Sequence, residues 1–137
     1  NSNSSNQDIK LCETLLQAVG DTVVLESESQ MDAVTAVSGS GPAYVFHLIE
    51  ALAAAGVDQG LSAQLAMKLA KKTVAGAGAL AFHSEESPEQ LRVNVTSPGG
   101  TTQAALEILM DVETGFPKVL LEGVKAAANR SKELGKA

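Results

Sequence analysis

Cysteine and cationic side chains are scarce in this sequence of 137 residues. Cys12 is the single cysteine, so no disulfide can form within the chain, and we expect a reducing, cytoplasmic compartment. Lys and Arg total 10 against 16 Asp and Glu, which gives a net charge of −6. Because nucleic-acid affinity comes largely from clustered cations, this balance argues against a nucleic-acid partner. No run approaches the ~20 apolar residues that cross a bilayer, so we expect no membrane partner either.

Aromatic residues are also rare, at 3% of the chain, and tryptophan is absent. Hydrophobic residues nonetheless make up 45%, with alanine prominent, which is typical of a globular protein. A core of Ala, Leu and Val favours closely packed helices over a sheet-rich sandwich. We therefore predict an all-α helical bundle of about one domain, preceded at residues 1–7 by a polar, disordered leader or remnant.

Apolar residues recur at helical spacing along most of the chain. Together with Ser, Pro and Gly at the segment ends, the spacing predicts helices at 8–19, 31–37, 42–55, 62–83, 88–93, 103–113 and 117–134. Residues 22–26 (TVVLE) are short, β-branched and apolar, which predicts one strand. Since a strand needs a hydrogen-bonding partner, we expect that partner in a missing part of the protein or in another subunit.

Several predicted helices are apolar on more than one side, as residues 74–82 (VAGAGALAF) show. A helix that is apolar all round has to be surrounded by other elements. In so short a chain the cover is expected from a second copy, and two-fold dimers are the commonest solution. Gly76 and Gly78 lie inside this helix, where they predict the close approach of another helix.

The loop at residues 96–102 (TSPGGTT) is the sharpest in the sequence. Backbone N–H groups at a glycine-rich turn leading into a helix can bind a carboxylate or a phosphate. The simpler interpretation is a capped helix start, with Thr101 or Thr102 as the cap, and local chemistry alone slightly favours it. A nucleotide-binding P-loop is a poor match, because no lysine follows the glycines and no strand precedes them.

The remaining candidate residues favour structural roles. Residues 38–42 (SGSGP) could bind an anion, but a tight corner between helices explains them better. His47 and His83 lack a second ligand at metal-binding spacing, so we predict no metal site. Cys12 follows Leu11 on a predicted helix and is expected to be a small buried hydrophobe rather than a nucleophile.

Two blocks carry a family resemblance. Residues 31–61 (MDAVTAVSGSGPAYVFHLIEALAAAGVDQGL) and 91–106 (LRVNVTSPGGTTQAAL) resemble the C-terminal half of the Δ1-pyrroline-5-carboxylate reductases, in the family's order and spacing. The resemblance implies reduction of 1-pyrroline-5-carboxylate to L-proline with NADPH or NADH, the last step of proline biosynthesis. It also implies a helical dimerisation domain of the 6-phosphogluconate dehydrogenase C-terminal-like type, in homodimers that often form a decamer of five dimers.

The family has an N-terminal Rossmann domain, which this sequence largely lacks. On the resemblance, residues 8–28 are the tail of that domain, a helix plus a strand, and residues 29–137 are the helical dimerisation and substrate-loop domain. No GxGxxG follows a strand anywhere in the sequence. We therefore expect this chain alone to dimerise but to be inactive.

The resemblance also assigns site residues. It implies that the substrate carboxylate is held by the Ser97 side chain and by the backbone N–H groups of Gly99, Gly100 and Thr101. Thr102 is the implied catalytic residue, with its hydroxyl hydrogen-bonded at the ring nitrogen. The other implied contacts are Glu28 near that nitrogen and Asn94 and Val95 near the nicotinamide.

Two further functions stay open on the sequence. A stand-alone helical oligomerisation or small-acid-binding module without catalysis would explain the missing nucleotide motif. A fragment of another dehydrogenase with a helical dimerisation domain is the weaker alternative, because SGSGPAY and TSPGGTT occur together here.

Overall fold

The chain folds into helices joined by short loops, as seen in a computed structural model that describes residues 4–136. The helices are α1 (Asn6–Leu16), α2 (Met31–Val34), α3 (Gly41–Asp58), α4 (Ala63–His83), α5 (Pro88–Asn94), α6 (Thr101–Leu109) and α7 (Phe116–Leu134). A 3-10 turn (Glu28–Gln30) and a π turn (Thr35–Gly39) flank α2. The all-α prediction is confirmed for the described residues.

Serine side chains begin three of the helices. Ser62 Oγ accepts from Leu65 N at 3.3 Å at the start of α4, as its place in the sequence predicts. Ser87 caps α5 in the same way, ahead of Pro88. Ser5 and Asp8 cap α1 reciprocally, so that helix begins inside the segment expected to be a leader, of which residues 1–3 lie outside the described residues.

The predicted strand at residues 22–26 is wrong. Residues 21–25 have no regular secondary structure, and the Val23 side chain is 83% exposed. A strand exists only when its N–H and C=O groups pair with a second strand, and residues 4–136 supply none. The preceding helix also ends at Leu16, three residues earlier than the apolar spacing predicts.

The most extensive packing joins α3 to α4. Its centre is a cluster of alanines, Ala53, Ala66 and Ala70, which are at most 5% exposed. The helices approach so closely that a Cβ built on Gly56 would lie 3.2 Å from the Ala66 Cβ. Gly60, with a φ of 94°, forms the left-handed turn between them, where a side chain would be strained.

A second packing region holds α7 against α2 and the π turn. Ser131 Oγ donates to Asp32 Oδ1 at 2.6 Å, which ties α7 to α2. Ser40 N closes the π turn on Thr35 O at 2.8 Å, and Tyr44 Oη donates to Ala36 O at 3.0 Å. The SGSGP segment is therefore the tight corner that the sequence favours.

Most of the apolar surface is uncovered in a single chain. A compact monomer of 14.1 kDa exposes roughly 6,700 Å², whereas this chain exposes 10,929 Å². Large apolar side chains on several helices are exposed, among them Phe82, Ile108 and Leu121. Cys12 is exposed too, so its predicted burial is not found within one chain. Among the residues that the structure describes, no neighbouring atom lies within 4 Å of a Cβ built on Gly76 or Gly78, so no described helix of the same chain approaches them.

We expect the chain to be a dimer in solution, because this apolar excess is far larger than monomers tolerate. Light scattering across a dilution series should give about 28 kDa, twice the 14.1 kDa of one chain. Leu80→Glu, which charges an exposed apolar position of α4, should weaken the dimer, whereas Lys72→Glu on the same helix should not. A well-folded monomer at every concentration would contradict this expectation.

Candidate functional site

The TSPGGTT loop is built around a type II turn at residues 97–100. Gly100 N donates to Ser97 O at 3.0 Å, which closes the turn. Pro98 presets the first central φ, and Gly99 takes the second with a φ of 69°. Only glycine adopts this conformation without strain, so the order Pro-Gly is dictated by the turn. Thr96 Oγ1 donates to Arg92 O at 2.6 Å and fixes the loop to α5.

The loop ends at the N-terminus of α6, where Gly100 is the capping residue. The predicted cap at Thr101 or Thr102 is therefore wrong, because both residues are already helical. Ala104 N makes the first bond of the helix, to Gly100 O at 3.2 Å. The N–H groups of Thr101, Thr102 and Gln103, which lie between Gly100 and Ala104, meet no protein acceptor among residues 4–136. They carry the positive end of the helix dipole, which suits an anion.

Two of the three N–H groups expected to bind a carboxylate are engaged within the chain. Gly100 N is held by the turn, and Gly99 N donates to Gln103 Oε1 at 2.7 Å. Thr101 N is the one that remains open in the described structure. Sequence reasoning missed Gln103, although glutamine at the third helical position often reaches back to the N–H groups before a helix.

The side chains of the predicted site differ in accessibility. Ser97 and Thr101 are exposed, whereas Thr102 is partly buried on the first turn of α6. Within the described part of the chain, the hydroxyl of Thr102 has no hydrogen-bond partner, so it is available to a ligand. The turn and the helix start thus bring together Ser97, Gly99, Gly100, Thr101 and Thr102.

Asn94 and Val95 lie just before the loop, at the end of α5. The Asn94 amide is already used, since its Nδ2 donates to Glu86 at 3.0 Å and its Oδ1 accepts from Gln90 at 2.7 Å. Val95 is 64% exposed. Residues 4–136 contain no strand followed by a glycine-rich turn, the arrangement that binds a dinucleotide pyrophosphate.

Glu28 lies apart from this loop. It is exposed in the 3-10 turn, which packs on α2. No extensive packing connects that turn with α5 or α6 among the described residues. The structure therefore does not assemble Glu28 with the TSPGGTT loop inside one chain.

An open groove of about 340 Å³ runs beside the loop. It is lined by Arg92, Thr96, Gln103, Leu106, Glu107, Met110 and Asp111. Within residues 4–136, no cluster of three or more His, Cys, Asp or Glu side chains could hold a metal ion. In the same range, no helix is long and apolar enough to cross a membrane.

The exposed apolar surface on several helices defines an oligomerisation domain. The family model described as "Pyrroline-5-carboxylate reductase dimerisation" matches residues 28–134. The chain therefore belongs to the pyrroline-5-carboxylate reductase family.

Relatives and solved structures agree with this assignment. The pyrroline-5-carboxylate reductase of Synechocystis is 51% identical over 122 residues, which are 89% of this chain and 45% of that protein. The enzyme of Pseudomonas aeruginosa is 48% identical over 120 residues, 88% of this chain and 43% of that protein. The chain thus spans less than half the length of these relatives.

Two solved structures have the same fold. A pyrroline-5-carboxylate reductase from Coxiella burnetii matches with a TM-score of 0.89 at 40% identity, over 98% of this chain and 49% of that one. The pyrroline carboxylate reductase of Plasmodium falciparum, solved with NADP bound, matches with a TM-score of 0.83 at 36% identity. That match covers 98% of this chain and 50% of the other.

Proposed function

We propose that this chain is the dimerisation and substrate-loop part of an enzyme that reduces 1-pyrroline-5-carboxylate to L-proline. The observation that carries the proposal is the α6 N-terminus, whose open N–H groups follow a glycine turn in a chain of this family. The substrate is a small carboxylate, and a helix N-terminus of this kind stabilises a carboxylate.

The loop holds the substrate by its carboxylate. In this proposal the Ser97 hydroxyl and the N–H groups of Gly99, Gly100 and Thr101 donate to the two carboxylate oxygens. Hydrogen bonds to a charged oxygen are roughly twice as strong as neutral ones, so few donors suffice. The carboxylate then fixes the ring relative to the first turn of α6.

Thr102 orients the reacting imine. Its free hydroxyl makes a hydrogen bond at the ring nitrogen, which directs the neighbouring carbon towards the hydride donor. A threonine hydroxyl is a poor acid at neutral pH, so its role is positioning by direct contact rather than acid strength. Glu28 stabilises the cationic imine. Because one chain does not bring Glu28 to the loop, this contact comes from a second copy of the chain or from a different arrangement of the chains in the assembly.

NADPH or NADH supplies the hydride when bound. Val95 and Asn94 contact its nicotinamide end, and residues 8–28 form the tail of a nucleotide-binding domain. Without that domain the chain binds the carboxylate but does not turn over. The assembly is a homodimer, with a decamer of five dimers as its larger form, and its compartment is the cytoplasm.

A chimera tests this proposal. The N-terminal part of the Synechocystis relative that precedes the match would be joined to this chain, and oxidation of NADPH would be followed with 1-pyrroline-5-carboxylate. We expect turnover by the chimera and none by the chain alone. Carboxylate binding by the chain combined with an inactive, well-folded chimera would instead favour a small-acid-binding module.

Within the chimera, Thr102→Ala should lower kcat/KM by ~10–100-fold, the scale of one or two polar contacts in the transition state. Thr101→Ala is the matched comparison, because its proposed contact uses the backbone N–H, which the substitution preserves. Steady-state kinetics of both variants check the prediction. Equal kinetics for Thr102→Ala and the parent chimera would remove Thr102 from the site.

A further inference from the structure

The Gln103 side chain is bonded at both ends of its amide. Oε1 accepts from Gly99 N at 2.7 Å, and Nε2 donates to Glu107 Oε1 at 3.4 Å. A backbone N–H can only donate and a carboxylate can only accept, so the two partners fix which end of the amide faces the loop. The amide oxygen therefore lies where a ligand oxygen would meet Gly99 N.

The same donor is required for ligand binding under the proposed function, on which this inference rests. One N–H cannot give a full hydrogen bond to two acceptors, so Gln103 and the substrate carboxylate exclude each other at Gly99. We propose that Gln103 is an internal competitor that closes the loop in the free protein and is displaced by an incoming carboxylate. It thus limits the affinity of the proposed site for a carboxylate.

The groove next to the loop gives the displaced side chain a place to go. Gln103 lines this groove together with Arg92 and Glu107. Glu107, four residues along α6, already holds the amide nitrogen, so release from Gly99 does not release the whole side chain. The exchange requires a side-chain rotation and leaves the helix start intact.

Competition of this kind favours anions. A carboxylate oxygen makes a charge-assisted bond and gains from the helix dipole, whereas a neutral amide oxygen gains less from both. A ring that lacks a carboxylate has nothing to exchange for the Gln103 bond. The competitor therefore lowers the affinity of every ligand that needs Gly99 N, and a carboxylate displaces it because the bond of a carboxylate there is stronger than that of the amide oxygen.

The test uses the 137-residue chain, with L-proline as the probe. Binding would be followed through the Gly99 amide signal in ¹⁵N-edited NMR spectra. Gln103→Ala should shift that signal without ligand and bind L-proline about threefold to tenfold more tightly, the scale of one net hydrogen bond. Gln103→Glu should bind it at least about tenfold more weakly, because a carboxylate on Gly99 N competes harder and repels the ligand.

Gln64→Ala is the control, since Gln64 is an exposed glutamine in the first turn of α4. It should match the parent chain in both measurements. Unchanged or weaker L-proline binding by Gln103→Ala, with binding by the parent intact, would overturn the competitor while leaving the proposed function standing. Absence of any loop shift with L-proline in both the parent and Gln103→Ala would count against the proposed function itself and the competitor with it.

Discussion

Gly115→Ala is expected to lower the midpoint of thermal unfolding by roughly 3–18 °C. A Cβ at this position would lie 2.5 Å from Leu109 O and 2.6 Å from Asp111 O. Both atoms are backbone, so neither can rotate away, and the loop between α6 and α7 must shift to admit the methyl group. Overpacking of this kind costs about 1–3 kcal/mol, and 1 kcal/mol corresponds to about 3–6 °C in a chain of this size.

The loop cannot shift cheaply because Asp111 organises it. Asp111 Oδ1 accepts from Thr114 Oγ1 at 2.8 Å and from the backbone N–H groups of Thr114 and Glu113. These hydrogen bonds hold the pKa of Asp111 below its ordinary value, and the bond from the Thr114 hydroxyl contributes most. Gly115 N returns to Asp111 O at 2.9 Å, and Gly115 then caps α7.

Circular dichroism melts at a fixed chain concentration would measure the effect, since dimer stability depends on concentration. Gly20→Ala is the matched control, because no neighbouring atom of the described residues lies within 4 Å of a Cβ built on Gly20. The control should melt with the parent chain. A Gly115→Ala protein that melts within about 2 °C of the parent would mean that the loop adapts at little cost.

The sequence predicts the helices well where a cap marks the start. Ser62 and Pro88 have local signals, and α4 and α5 begin where those signals lie. Such signals depend on bonds within three or four residues, which the local sequence contains. The prediction of a strand at 22–26 is wrong for the opposite reason, because a strand depends on a partner strand that the local sequence does not contain.

One feature of the fold and one of the site were beyond sequence reasoning. The π turn at Thr35–Gly39 follows α2 directly, and apolar spacing does not distinguish its wider register from an ordinary helical turn. The Gly99–Gln103 bond depends on which way one flexible side chain folds, although glutamine at the third helical position signals that it can reach back. By contrast, the turn conformation of Pro98-Gly99 was readable from residue types alone.

Gly100→Val in the chimera should reduce kcat/KM for 1-pyrroline-5-carboxylate by about 100-fold or more, the scale of two hydrogen bonds to a charged group. Gly100 has a φ of −84° and a ψ of 172°, which valine adopts readily, so backbone strain is not the cause. The effect is steric, because a Cβ added to Gly100 would lie only 3.1 Å from Ser97 O. The valine γ carbons would add bulk at the turn that presents the N–H groups.

Gly100→Ala should fall between the parent and Gly100→Val, because one methyl group needs a shift of only a few tenths of an ångström. Gly20→Val, at a glycine with open space, should leave the kinetics unchanged. Light scattering on each variant would verify that the oligomer persists, since the loss is expected at the loop and not in the assembly. Normal saturation of Gly100→Val with substrate would mean that the carboxylate does not approach the backbone of this turn, and its anchor would then have to lie on side chains such as Ser97.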